Sequence, residues 1–367
     1  VFSCTSVFGS RVVTSLSAIH LGATPAVVGA IMSLYFLTPM ILGLFMGRLV
    51  DRAGVAIPMT LVACLLVAGH ALPAAFPSLW TLALSAACIG TAFVGTVIAL
   101  SSATAFVGGV DDRAANFSWF TVGTGFGVGL GPFLSGFAID GLGDRAASLA
   151  LCLWPAAILV LLAAMGRRLP QVAASTPQRK LPWMGLLRDR RLRAALVASV
   201  MGPAGYEVFL FVLPVNGTRI GLSASTIGTI LGASAVAIFV VRLAMPLLAR
   251  RLRDWTMVMA VLFGMSASFL LLAVVTQTWA IFLLGIVMGL AQGAGQPVVM
   301  SMYFTASPAG RQGEAAGVRG IMQNAFSTIS PVVIGGLGTI LGLGPVLAAA
   351  ALVYAWGSWF SRRQLAA

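Results

Sequence analysis

The sequence predicts an all-α membrane protein in which twelve transmembrane helices form two pseudo-symmetric six-helix bundles. Three observations predict this fold: the composition, the placement of the basic residues and an internal repeat. Of the 367 residues, 59% are hydrophobic and 8% are charged, whereas soluble domains carry about 25% charged residues. Apolar stretches of about 20 residues can cross a bilayer as helices, because a helix satisfies its own backbone hydrogen bonds there.

Twelve such stretches can be read from hydropathy and length. The first six are 2–20, 25–47, 55–75, 78–107, 116–139 and 147–166. The other six are 194–215, 224–249, 256–275, 278–304, 314–341 and 345–361. The polar, proline-containing segment 167–193 predicts a linker between an N-terminal bundle, 1–166, and a C-terminal bundle, 194–367. Residues 1–19 lack the basic region and cleavage site of a signal peptide, so we expect the chain to begin within its first helix.

The basic residues lie mainly on one side of the predicted membrane. If the turn after the second span is cytoplasmic, 17 of the 22 lysines and arginines are on that side. Such an asymmetry predicts cytoplasmic N- and C-termini. The membrane topology accounts for where the basic residues of this chain, of net charge +13, are placed, so we expect no nucleic-acid partner. Short loops and the dominance of arginine over lysine favour a bacterial inner membrane.

The two halves of the chain repeat at an offset of 199 residues. The matched pairs are Gly29 with Gly228, Pro132 with Pro331, Gly136 with Gly335, and Gly143 with Gly342. Two repeats in the same orientation are typical of transporters that hold their substrate between the repeats, near the middle of the membrane.

A charged turn, Gly47-Arg48-Leu49-Val50-Asp51-Arg52-Ala53-Gly54, joins the second and third spans. It resembles the motif G-x-L-x-D-R-x-G-R-K of the major facilitator superfamily of transporters, with Val55 and Ala56 in place of the basic pair. The resemblance implies a cytoplasmic gate in which the motif aspartate meets the positive end of the eleventh helix. The predicted gate residues are Gly47, Asp51, Arg52, Gly54 and Arg113.

The fifth span is rich in glycine. Gly123, Gly127 and Gly131 recur every four residues and predict a bare ridge for close helix packing, and Pro132 permits a bend. Gly127, Gly131, Pro132 and Gly136 match the superfamily's antiporter motif, G-x8-G-x3-G-P-x2-G-G, with Ser118 and Ser135 replacing two glycines. The resemblance implies export in exchange for protons; plain helix packing is the alternative.

Glu207 in the seventh span is the candidate for proton coupling. It lies about 20 Å from the cytoplasmic end at 1.5 Å per residue, where a carboxylate must face a cavity, pair with a cation or take up a proton. Gly202 and Pro203, one turn earlier, predict a broken and mobile helix. Arg11 in the first span could neutralise Glu207 or anchor an anionic substrate group.

Other polar side chains within spans are candidates for the substrate cavity. They are Tyr206, Gln292, Gln296, Arg319, Gln323 and Asn324. Gln292 and Gln296 share one helix face, and amides are costly when they face lipid. For Arg242, near the cytoplasmic end of its span, we expect snorkelling to the interface.

Other classes of site have little support. His20 and His70 fall near the predicted outer ends, where we expect interfacial side chains rather than a proton relay. The four cysteines stand singly and are expected to be small buried residues. No phosphate-binding G-x4-G-K-[ST] motif is present, which disfavours an ATP-driven pump. We expect no metal site, no cofactor and no enzymatic activity.

The sequence therefore predicts a secondary transporter, monomeric in the lipid bilayer, that moves a small-molecule substrate by alternating access. Proton-coupled efflux is the preferred interpretation. Proton-coupled uptake of an organic anion, anchored by Arg11 and Arg319, is the alternative. A receptor or scaffold without transport activity is a third hypothesis, and it predicts no dedicated cavity.

Overall fold

The computed structural model describes residues 1–106, 113–165, 190–251, 253–307 and 312–365. These residues form twelve helices. The first six are α1 (Phe2–His20), α2 (Pro25–Ala53), α3 (Ala56–Ala75), α4 (Leu79–Phe106), α5 (Arg113–Leu151) and α6 (Leu153–Met165). The others are α7 (Arg190–Arg219), α8 (Ala224–Arg251), α9 (Asp254–Leu272), α10 (Thr278–Ala306), α11 (Gln312–Leu341) and α12 (Leu343–Leu365).

The predicted spans correspond to these helices with two differences. Ten segments are long and apolar enough to cross a membrane, and one of them, Trp119–Ala164, contains 46 residues. A kink at Gly143 (φ 79°, ψ 170°) divides that segment into the fifth and sixth spans. α1 is not among the ten, because its serines, threonines and Arg11 make it less apolar than the other spans; most of these polar residues are buried. A helix that buries so many polar groups faces protein rather than lipid.

Two other predictions bear on the helix boundaries. α7 begins at Arg190, inside the predicted linker; residues 166–189 lie outside the described part of the chain. The predicted break at Gly202 and Pro203 is wrong, because α7 is helical at every residue from 190 to 219. A proline removes one backbone hydrogen bond and does not by itself end a helix, and neighbouring helices bury most of α7.

The two bundles meet through equivalent pairs of helices, α2 with α11 and α5 with α8. A Cβ added to Gly29 of α2 would collide with the Pro331 carbonyl oxygen, and a Cβ added to Gly228 of α8 would lie 2.5 Å from that of Pro132. Each contact is related to the other by the 199-residue offset. The repeat therefore appears in the structure as two copies of one helix crossing.

The end of the molecule that carries Arg48, Arg52, Arg362 and Arg363 is called the arginine-rich end, and the other is called the opposite end. The bundles touch towards the opposite end, where α5 and α8 are close enough to exclude a Cβ at Gly136. Nearer the arginine-rich end, a Cβ at Gly125 or Gly320 would meet nothing within 4 Å. The bundles are therefore joined at the opposite end and diverge towards the arginine-rich end.

A pair of polar contacts ties the bundles together at the opposite end. The Asp140 carboxylate of α5 accepts hydrogen bonds from the backbone N–H groups of Ala224 (3.1 Å) and Ser225 (2.8 Å) at the start of α8. At the equivalent position, the Thr339 hydroxyl of α11 accepts one from the Ala26 N–H at the start of α2 (3.0 Å). Both acceptors satisfy N–H groups that have no partner within their helix. The negative charge of Asp140 also complements the positive end of α8.

Candidate functional site: a polar cavity between the bundles

A cavity of ≈ 710 Å³ lies between the two bundles. Its polar lining includes Thr121 and Thr124 of α5, Glu207 of α7, Arg242 of α8 and Gln292 of α10. An adjoining cavity of ≈ 680 Å³ shares Thr121, Arg242 and Gln296 and reaches Asp254 at the first turn of α9. The space between the bundles thus extends towards the arginine-rich end, and its volume is in the range of small-molecule sites, about 300–1,000 Å³.

An ion pair joins the bundles at the wall of this cavity. Arg11 Nη1 of α1 donates to Glu207 Oε2 of α7 across 3.0 Å. The Arg11 side chain is 8% exposed and that of Glu207 is 24% exposed. The contact corresponds to one of the two roles expected for Arg11, the neutralisation of Glu207. Because one partner belongs to each bundle, changing the charge of either alters the attraction between the bundles.

Aromatic rings surround the Arg11 guanidinium. Its central carbon lies 4.7 Å from the centroid of Phe8, 4.8 Å from that of Phe36 and 5.8 Å from that of Tyr35. The electron-rich faces of such rings attract a cation. The rings also restrain the side chain, so Arg11 keeps favourable contacts besides the bond to Glu207.

Arg242 occupies the cavity wall nearer the arginine-rich end. Its Nη2 donates to Gln296 Oε1 of α10 across 2.6 Å. The snorkelling expected from its position in the sequence is therefore wrong, because the guanidinium lies between α8 and α10 and donates a hydrogen bond to the side-chain amide of Gln296. Within the part of the chain that the structure describes, no carboxylate forms an ion pair with Arg242.

The structure brings together about half of the predicted cavity residues. Tyr206, Glu207, Gln292 and Gln296 line the cavity. Arg11 is not part of the lining but donates a hydrogen bond to Glu207. The others do not line this cavity; they are Arg319, Gln323 and Asn324. Gln323 Nε2 instead donates to Ser327 Oγ on its own helix, at 3.4 Å.

The glycine ridge of α5 packs a helix closely, as its spacing predicts. Gly127 and Gly131 lie against Cys4 and Thr5 of α1, so closely that a Cβ at either position would collide. Another face of α5, carrying Pro132 and Gly136, packs on α8 of the other bundle. α5 therefore connects the cation-bearing helix α1 to the interface with the second bundle, which gives the motif a structural role.

The predicted gate falls partly outside the described side chains. Gly54, at the turn between α2 and α3, has φ 70° and ψ −163°, a backbone conformation that favours glycine. A Cβ at Gly47 would meet nothing within 4 Å, and Arg52 is exposed. The side chains of Asp51 and Arg113 are outside the described part, so a latch between them stays a prediction.

The two histidines differ in their surroundings. His20 Nδ1 lies 2.8 Å from Asp144 Oδ2, and its side chain is half exposed, as expected at an interface. His70 is 2% exposed, and its Nε2 lies 2.6 Å from the Ser6 hydroxyl of α1. The interfacial prediction for His70 is wrong, because α3 packs against other helices on that face and Ser6 supplies a polar partner.

Arg242, Asp140, Thr121 and Thr124 were missed as functional candidates. A signal for Asp140 existed, since it precedes Thr339 by the repeat offset of 199 residues. The threonines carried no signal, because isolated hydroxyls bond to their own helix and are common within spans.

Solved structures with the same fold are transporters of low sequence identity. A mutant of the nucleoside transporter NupG matches with a TM-score of 0.79 at 13% identity, covering 100% of this chain and 97% of that one. A POT family transporter in complex with 5-aminolevulinic acid matches with a TM-score of 0.81 at 14% identity, covering 98% and 92%. A bacterial homolog of the human lysosomal transporter Spinster, in an inward-facing conformation, matches with a TM-score of 0.72 at 12% identity, covering 98% and 91%. At these identities the likeness shows the fold alone.

Comparison of sequences identifies the family. No curated protein sequence matches this chain. The family model of the Major Facilitator Superfamily matches residues 1–331 and, in a second overlapping match, residues 209–364. Together these matches cover nearly the whole chain, in agreement with the duplicated helical fold and the polar cavity between its halves. The chain is a transporter of the Major Facilitator Superfamily.

Proposed function

We propose that this protein is a proton-coupled secondary transporter that moves a small organic solute by alternating access. The observation that carries the proposal is the Arg11–Glu207 ion pair, which joins the two bundles at the wall of the cavity. A carboxylate inside a membrane protein is a common proton carrier. Glu207 is accessible from the cavity, so water and solute can reach it.

Protonation of Glu207 would weaken the tie between the bundles. The carboxyl group would lose its charge, and Arg11 would lose the Coulomb attraction, which is strong in a low-dielectric interior. Arg11 would still contact its three aromatic rings. The bundles would then be freer to rock about the α1–α7 contact. Proton binding would in this way change the balance between conformations, as coupling requires.

We place the arginine-rich end in the cytoplasm, since basic residues are retained on that side, and we propose a bacterial inner membrane as the setting. The cavity then opens to the cytoplasm. In this conformation the transporter would exchange protons and solute with the cell interior. The cavity also counts against a receptor or scaffold, which needs no such space.

Efflux by proton antiport is our first candidate for the direction. It is supported by the resemblance of Gly127, Gly131, Pro132 and Gly136 to the antiporter motif. The second candidate is uptake of an organic anion together with a proton. It is supported by Arg242, a cation in the cavity with a neutral amide as its hydrogen-bond partner.

Transport in proteoliposomes tests the coupling. A solute that raises the unfolding temperature of the purified protein is first identified, because binding stabilises the native state. An imposed proton gradient should then drive that solute uphill in wild-type vesicles, against the proton flow for antiport and with it for symport. Glu207→Gln should retain exchange of solute but lose the response to the gradient. Uphill transport of equal size in Glu207→Gln would refute the proposed coupling.

The pH dependence of binding separates the two directions. In antiport the proton and solute compete, so the affinity for the solute should fall as the pH is lowered. In symport of an anion, protonation of Glu207 leaves Arg11 and Arg242 with less opposing negative charge. The affinity should therefore rise as the pH is lowered.

A further inference from the structure

We propose that the transported solute carries an anionic group, such as a carboxylate, which binds to the guanidinium of Arg242 beside Gln296. This inference rests on the proposed function and names the chemical class of its solute. It concerns a different part of the cavity from the Arg11–Glu207 pair. Arg242 lies six residues further than Glu207 from the opposite end of its helix, about 9 Å at 1.5 Å per residue.

The charges of the cavity do not balance. Arg11 and Glu207 neutralise each other through their ion pair. Arg242 adds a further positive charge, and among the described residues it has no carboxylate in ion-pair contact. Asp254 lines the adjoining cavity but forms no ion pair with Arg242. A charged group within a membrane protein is normally paired or faces a water-filled path, so this site favours an anion.

The hydrogen bonds of the site are also incomplete. A guanidinium has five N–H donors in a planar fork that matches a carboxylate. Gln296 Oε1 accepts from Nη2 of Arg242, while the buried Arg242 Nε has no partner among the described residues. The buried Oε1 of Gln292, one turn from Gln296, likewise has none among them. Buried polar atoms usually have partners, and a bound solute with an acidic and a donor group would supply both.

The rest of the cavity wall indicates what kind of solute body would fit beside Arg242. Phe8, Ile238 and Phe239 contribute apolar surface to the same cavity. An apolar body placed against them would bury hydrophobic surface while the acidic group contacts Arg242. The favoured class is therefore a small organic acid with an apolar or aromatic body.

Matched carboxylates and amides test the assignment on the purified full chain. The probes are benzoate with benzamide, and 4-phenylbutyrate with 4-phenylbutyramide. Each acid should raise the unfolding temperature more than its amide and should slow the modification of Arg242 by phenylglyoxal, measured by mass spectrometry. Equal protection of Arg242 by acids and amides, or none by either, would overturn the assignment.

Two variants complete the test. Arg242→Gln should lower the affinity for the acids by about ten- to a hundredfold, the worth of a charge-assisted hydrogen-bonded contact. Arg362→Gln changes an exposed arginine of α12 and should keep the wild-type affinity. Undiminished acid binding in Arg242→Gln contradicts the inference; if that variant does not fold, the protection of Arg242 in the wild type still decides.

The inference and the proposed function can fail separately. Glu207→Gln removes the coupling carboxyl and keeps Arg242, so Arg242→Gln should still weaken acid binding when it is added to that variant. Acid binding that depends on Arg242, together with a proton response that does not depend on Glu207, would leave the inference standing and refute the coupling. The reverse result would refute the inference alone.

Discussion

At the scale of single residues, the pair of Arg11 and Glu207 bears on the stability of the fold and on the proposed proton coupling. Both side chains are largely buried, and each belongs to a different bundle. Removing one member of a buried pair leaves an uncompensated charge, whereas removing both leaves none. Stability measurements can therefore show whether the pair acts as a unit.

Arg11→Met and Glu207→Gln should each lower the free energy of unfolding by about 3 kcal/mol, because each leaves one charge of a mostly buried pair without its partner. The double variant should lose less than the sum of the two single losses. Thermal unfolding in detergent measures all three, with Arg362→Gln as the exposed control. Additive losses would show that the two charges do not interact in the folded protein.

The sequence predicted this pair but not the role of Arg242, for a physical reason. Two isolated charges in long apolar spans need partners. The first and seventh spans are the corresponding first helices of the two repeats, so each charge was the natural partner of the other. For Arg242, its position near the predicted cytoplasmic end of the span favoured snorkelling. What decided its position was the approach of α10, which depends on glycines such as Gly289 and Gly293 packing on α8. A hydropathy profile does not contain that contact.

At the scale of helices, the crossing of α5 with α8 tests the close packing. A Cβ on Gly228 would lie 2.5 Å from the Pro132 carbonyl oxygen. Gly228→Ala should therefore destabilise the protein by about 1–3 kcal/mol, as overpacking does. Gly336→Ala in α11 is the matched control, since its Cβ would meet nothing within 4 Å. Thermal unfolding compares them, and equal effects would exclude the proposed close contact.

Asp140 provides a second test at this scale. Its carboxylate accepts from two N–H groups at the start of α8, in the other bundle. Asp140→Ala should weaken closure of the opposite end by about 0.5–2 kcal/mol, the cost of losing such a cap. Spin labels at the exposed Leu21 and Arg219 should then show a larger population with a long distance.

Asp144→Ala is the control for this experiment, because Asp144 contacts His20 within the same bundle. Its distance distribution should match that of the parent. If Asp140→Ala gives the same distribution as well, the contact does not hold the end closed.

The helices show why much of the fold was predictable and some local detail was not. Gly143 and Gly342 were matched by the repeat offset, and both adopt positive φ, 79° and 80°. Such repetition reflects backbone requirements that glycine meets. The continuity of α7 through Pro203 was not predictable in the same way, because the packing of neighbouring helices supports it.

At the scale of the whole molecule, the bundles are in contact at the opposite end and separated near the arginine-rich end. Alternating access requires a second arrangement in which these relations are exchanged. The two equivalent helix crossings, α2 with α11 and α5 with α8, lie about a pseudo-symmetry axis, so both can open together. The Arg11–Glu207 pair lies between them, and in the proposed mechanism its charge state changes the balance between the two arrangements.

Distances between spin labels at both ends, measured as a function of pH, test this account most directly. After replacement of the four native cysteines, one pair of labels is placed at Leu21 and Arg219, and another at the exposed Ile57 and Arg253. Lowering the pH should change the two distances in opposite directions in the otherwise wild-type protein and leave both unchanged in Glu207→Gln. An identical pH response in Glu207→Gln, or distances that do not change in opposite directions, would contradict the account.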